Sequence, residues 1–148
     1  DTLYNTMMKT DQLVIDTNVF VSALRNDTGA SFYIISLIGK NKFETNVSVP
    51  LILEYEEVAN RFLDQTNLTV SDLNDLLDYI CSVSNKHEIN YLWRPFLKDP
   101  KDDFVLELAV KARSQYIITF NKKDFQNISK FGITVLTPWE FLKERGLL

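Results

Sequence analysis

The apolar residues fall into short solid runs that alternate with longer stretches of three-to-four spacing. Residues 12–15, QLVI, read as a short buried strand, and the chain then turns polar at Asp16, Thr17 and Asn18 before an apolar run resumes. Beyond Gly29, SFYIISLIGK has helical spacing and meets Gly39 near its end. Residues 43–49 alternate well enough for a second strand. Pro50 suits a first helical position, and Leu51, Leu53, Tyr55, Val58, Ala59, Phe62 and Leu63 outline the apolar face of the helix that follows. Ser71 is placed to cap the next helix, DLNDLLDYICSV.

Residues 89–92 suggest an edge strand. Asp99-Pro100 then opens a helix through FVLELAVKA, and residues 116–119 and 133–136 are apolar, β-branched runs of strand length. Thr137, Pro138 and Glu140 form a capping box with proline at the first helical position, and Gly146 stands where a C-cap belongs. Strands alternating with helices predict an α/β fold with a mostly parallel central sheet and helices on both faces.

Composition narrows the chemistry. With 148 residues, 45% of them apolar and ten of them Phe, the chain can bury a sizeable core. Residues 9–148 read as one domain; Met7 and Met8 are candidate native starts, so residues 1–8 read as a leader. No apolar run approaches the ~20 residues of a membrane span, and the polar beginning is no secretion signal, which predicts a cytoplasmic protein. One Cys and one His exclude a Cys/His zinc site and leave a Ser-His-Asp or Cys-His mechanism without support. Cys81, in the pattern of Leu73, Leu76, Leu77 and Ile80, reads as a buried structural thiol, and His87 as an ordinary surface residue. Any metal must therefore be held by oxygen, which favours Mg²⁺ or Mn²⁺. A net charge of −4 argues against a general nucleic-acid coat but not against a nuclease, whose metal-binding acids are themselves negative.

Four acidic or amide positions gain meaning from where they fall. In parallel sheets the ligand site lies outside the carboxyl ends of the strands. Asp16 leaves the end of the first strand, where it either serves chemistry or closes a turn into the next helix. TFNKKDF, 119–125, repeats that decoration, with Asn121 and Asp124 after a buried strand. In DPKDD, Asp99 suits an N-cap and Asp102 a first turn; Asp103 has less local reason, although Asp102 lies closer to the apolar face of the wheel. Glu54 follows an apolar stretch, whereas Glu56 and Glu57 look solvent-facing. A hard divalent cation would remove the repulsion among gathered carboxylates, so the acids should converge in space.

From Leu13 to Leu142 these motifs resemble the PIN domain family: Asp16-Thr17-Asn18 after a strand, Glu54 in SVPLILEY, Asp103 ahead of YIIT, and Asn121 two residues beyond Thr119. The likeness is nearest to the branch of toxin components of bacterial toxin–antitoxin systems, in which DPKDD-like and TPWEFL-like segments occur. The resemblance implies a Rossmann-like α/β/α sandwich and Mg²⁺- or Mn²⁺-dependent endonucleolytic cleavage of single-stranded RNA. It also implies frequent homodimers and a cognate antitoxin partner. On this reading Asp16 and Asp103 bind the ion, Glu54 positions or activates a metal water, and Asn121 orients a water or a phosphate oxygen. Asn18, Asp99, Asp102, Thr119 and Asp124 support the cluster. Lys122, Lys123 and Arg94, with Lys98 and Lys101, are candidates for the RNA backbone. Asn121 departs from the more acidic form of the family pattern, which predicts one well-held ion. The rival readings are a degenerate PIN fold that binds RNA or protein without cutting, and a small-molecule phosphohydrolase; the second lacks another acid in the Asp16 loop.

Overall fold

A computed structural model describes residues 10–89 and 100–148, with side chains described in the second segment from Asp103 onward. Among those residues five short strands form one sheet: β1 Gln12–Ile15, β2 Glu44–Val47, β3 Asn85–Lys86, β4 Tyr116–Ile118 and β5 Thr134–Leu136. Their order is β3-β2-β1-β4-β5, and every pairing is parallel. Among the described residues six helices accompany them: α1 Thr17–Arg25, α2 Ala30–Ser36, α3 Val49–Phe62, α4 Val70–Val83, α5 Pro100–Lys111 and α6 Pro138–Glu144. This is the α/β fold that the sequence predicts. No helix among the described residues is long and apolar enough to cross a membrane.

The order of the strands creates the site. The chain adds β2 and β3 on one side of β1, then returns to add β4 and β5 on the other. Right-handed crossovers require the connecting helices to change face at that reversal, which opens a crevice at the carboxyl ends of β1 and β4. Leu13, Val14, Ile15, Ile117 and Ile118 are all buried, as strands covered on both faces must be. α5 packs on β1, β2 and β4, while α1 packs against α2 and α3.

Several local expectations are corrected. The cap of α4 is Thr69, not Ser71: Thr69 Oγ1 accepts from Asp72 N at 3.1 Å, and Asp72 Oδ2 accepts from Thr69 N at 2.9 Å. A capping box needs an acid three residues on, and Ser71 has Asn74 there. An edge strand forms at Asn85–Lys86, which pairs with Asn46 and Val47; Ile89 lies in no strand, and the rest of the expected 89–92 strand lies outside the described residues. Two polar, exposed residues suit a sheet edge better than an apolar run would. α2 ends at Ser36, and the chain turns out through Gly39 at φ 80°, where a side chain would meet the Tyr79 hydroxyl.

In α3 the buried face is Leu51, Tyr55 and Ala59, spaced by four, so Leu53 projects into solvent, 58% exposed. Cys81 is only half-buried and borders an apolar cavity of about 290 Å³ beside β3. His87 is not an ordinary surface residue: its amide donates to Val47 O at 3.0 Å, and its ring Nε2 lies 2.9 Å from Asn46 Oδ1. The capping box of α6 forms as read, and Gly146 adopts φ 67° after it.

Candidate active site

Asp16 stands where β1 becomes α1, and it serves as the N-cap of that helix: Oδ1 accepts from Thr17 N at 2.8 Å. The capping role and a chemical role are compatible, because the other carboxylate oxygen faces the neighbouring strand end. Asp16 Oδ2 accepts from Thr119 Oγ1 at 2.8 Å and from Asn18 Nδ2 at 3.3 Å. β1 and β4 bring these residues together by their register, Ile15 opposite Ile118, and the Asp16 amide continues the pairing by donating to Ile118 O at 2.9 Å.

Asn18 holds the crevice from the other direction. Its Nδ2 also lies 3.2 Å from Thr119 Oγ1, and its Oδ1 accepts from Phe120 N at 3.2 Å. The Asn121 amide donates to Thr119 Oγ1 at 3.1 Å, while Asn121 itself is exposed at the start of a 3-10 turn, Lys122–Phe125. Asp124 follows in that turn, its amide donating to Asn121 O at 2.9 Å.

Glu54 reaches the cluster from α3. Thr17 Oγ1 donates to Glu54 Oε1, so Thr17 clamps two carboxylates at once, Asp16 by its backbone and Glu54 by its hydroxyl. Tyr55, the next residue, is buried, donates its hydroxyl to Ile15 O and stacks on Phe20 with centroids 4.5 Å apart. That bond fixes α3 against the end of β1 and thereby sets where Glu54 stands.

The electrostatics follow from this convergence. Burial pushes the Asp16 carboxyl above its ordinary value; the bonds from Thr119 and Thr17 oppose that, and the charges of Glu54 and Asp124 add to it. The Tyr55 phenol is raised as well, by burial first and then by Asp16 and Glu54. Three acids from separate segments thus act on one place. Asp103 lies half-buried in the first turn of α5, the helix that packs on β1, on β4 and on the 3-10 turn of Asp124. Asp102 belongs to the same turn with its side chain outside the described residues, where Arg94, Lys98, Asp99 and the Lys101 side chain also fall. Lys122 Nζ is engaged by Glu140 at 3.0 and 3.1 Å, and Lys123 is exposed beside it.

Among the described residues, no three His, Cys, Asp or Glu side chains are grouped to hold a metal ion. The donor chemistry nevertheless suits a hard cation, since the carboxylates of Asp16 and Glu54 and the hydroxyls of Thr17 and Thr119 offer oxygen and the nearby charges are negative. A sequence model of the PIN domain family matches residues 12–123. The chain belongs to the PIN domain family. No curated protein matches it. PIN domains are in general nucleases, and PIN nucleases generally use divalent metal ions. The match begins at β1 and ends within the 3-10 turn of Asp124, so it spans the crevice of this PIN domain.

The clamp formed by Thr17 has no mark in the sequence beyond its place between Asp16 and Asn18. Tyr55 reads in the sequence only as part of the apolar face, and the buried Glu107 of α5 does not stand out. A tyrosine directly after the candidate Glu54 was the available signal for the first of these; Glu107 had none, since a single acid in an apolar helix reads as a surface charge.

Proposed function

We propose that this PIN domain is a divalent-metal-dependent endoribonuclease that hydrolyses single-stranded RNA and serves as the toxin of a toxin–antitoxin pair in the cytoplasm, working as a homodimer. The observation that carries the reading is a buried Asp16 carboxylate at the switch point of the sheet, bonded by Thr119 and Asn18, with Glu54 drawn to the same place by Thr17, which bonds both acids. Packing gains nothing from a buried carboxylate next to a like charge, whereas a cation site does.

Asp16 and Asp103 would hold Mg²⁺ or Mn²⁺, with Glu54 close by. When bound, the ion supplies an acidified water and neutralises charge on the phosphate. Glu54, kept in place by Thr17, accepts the proton of the attacking water. Thr119 and Asn18 orient Asp16, so their donors fix which carboxylate oxygen faces the crevice. Asn121 offers an amide to a phosphate oxygen without adding charge.

A second reading, a PIN fold that binds RNA without cutting it, is favoured by Asn121 and by the lack of a three-acid group among the described residues. The two are separated by incubating end-labelled single-stranded and duplex RNA with Mn²⁺, Mg²⁺ or EDTA. Metal-dependent cleavage confined to the single strand supports the enzyme; retention of RNA without cleavage under every condition supports the binding module.

A further inference from the structure

A cleft of about 500 Å³ begins at Asn18, the residue that donates to Asp16, and runs along one side of α1 past Ser22 to Arg25, with Val58 and Phe62 of α3 as its other wall. Arg25 is the one charged residue lining it among the described residues. Its guanidinium lies 4.5 Å from the Phe62 ring centroid, and its Nη2 donates to Gln65 Oε1 at 3.0 Å. A planar cation held on an aromatic face presents fixed N–H donors of the kind that phosphate accepts. Arg25 and Asn26 also line a second cleft of about 700 Å³, so the furrow continues beyond them. Bonded to Asn18 but outside the lining of that cleft stands Phe120, 46% exposed, its amide held by Asn18 Oδ1. An aromatic ring presented to solvent at the edge of an acidic crevice is a surface on which a base can stack.

We propose that Phe120, Asn18 and Arg25 mark the path of a single nucleic-acid strand across the site: a base stacks on Phe120, the next phosphate lies at Asp16, and a phosphate farther along meets Arg25. The spacing permits this. Asn18 and Arg25 are seven residue steps apart on one helix, about 10 Å along the axis, roughly three times the ~3.4 Å per-strand phosphate spacing of helical nucleic acid. A duplex would need both strands to follow a furrow walled by two helices. The proposal takes its substrate class from the nuclease reading but makes a claim about binding that is measured separately from cleavage.

The test is fluorescence anisotropy of a short labelled single-stranded RNA with Ca²⁺ in place of Mg²⁺ or Mn²⁺, across about 50 to 200 mM salt, with the full chain. Wild type should bind with a salt-dependent affinity. Arg25→Gln should lower the slope of log K against log salt by about 0.7, the loss of one phosphate contact on a single strand, and Arg25→Lys should keep most of that slope. Phe120→Leu should weaken binding about tenfold with the slope unchanged, and Phe120→Trp should restore it. Matching far-UV circular dichroism and unfolding midpoints establish that each variant is folded. Wild-type affinity and slope in both Arg25→Gln and Phe120→Leu would overturn the path, and so would absence of single-strand binding by the wild type. Cleavage with Mn²⁺ by the same wild-type preparation reports on the nuclease reading independently. A path without cutting leaves the binding module, and cutting without the path leaves a nuclease that holds its strand elsewhere.

Discussion

The Thr119 hydroxyl donates to Asp16 Oδ2 at 2.8 Å and so ties together two strand ends 103 residues apart in the chain. Thr119 is fully buried, and its oxygen also accepts from the Asn121 amide. Thr119→Val preserves shape while removing the donor to a buried carboxylate and the acceptor for Asn121. We expect a loss of about 1–3 kcal/mol, read as a lower urea midpoint with an unchanged m-value. A variant as stable as wild type would mean that the carboxylate is satisfied without Thr119.

Tyr55 holds the same strand end from below. Tyr55→Phe keeps the stack on Phe20 and deletes the hydroxyl bond to Ile15 O. The expected cost is about 1 kcal/mol in urea unfolding, together with a fall in any metal-dependent activity larger than that stability change accounts for, because Glu54 is the adjacent residue. An effect on stability alone would confine Tyr55 to packing.

The capping box of α6 predicts a pH dependence. The Thr137 amide, and then Lys122, hold the Glu140 carboxyl below its ordinary value of 4.5. A depressed carboxylate contributes stability above its unfolded pKa and loses it as the pH falls through the folded one. Glu140→Gln should therefore destabilise the chain at neutral pH, and the difference from wild type should shrink below about pH 4.5 and vanish in stronger acid. Urea midpoints of both proteins over that range check it; a constant difference would attribute the effect to the side-chain shape.

The sequence was most legible where the determinants are local. The end of β1 at Ile15, the box of Thr137 and Glu140, and the turn at Gly146 each depend on residues a few positions apart, and each stands where the pattern puts it. The choice of Thr69 over Ser71 was equally local but turned on the partner three residues on, which the apolar pattern does not reveal. The pairing of Asn85–Lys86 and the setting of His87 depend on β2, so no pattern in their own segment could fix them. At the site, Asp16, Glu54 and Asp124 were legible as acids at suggestive places; that they act on one another follows only from the sheet order. Thr17 and Phe120 matter through contacts that cross between segments, with no periodicity to announce them.

Asn121 supplies a further prediction. Replacing this exposed amide by a carboxylate beside Asp124 should strengthen the attraction of the crevice for a divalent cation. Asn121→Asp should shift the Mn²⁺ midpoint of thermal stabilisation down by about tenfold, or ~1.4 kcal/mol. An unmoved midpoint would place the ion away from the end of β4.

The central claim is that β1 delivers the Asp16 carboxylate to phosphodiester chemistry. Single-turnover cleavage of an end-labelled single-stranded RNA, with saturating Mn²⁺ and with EDTA, tests it in wild type and Asp16→Asn. The account predicts cleavage that requires the metal and falls about 10²-fold or more in the variant, with the variant still folded. Equal cleavage by the two proteins, or cleavage that persists in EDTA, would contradict it.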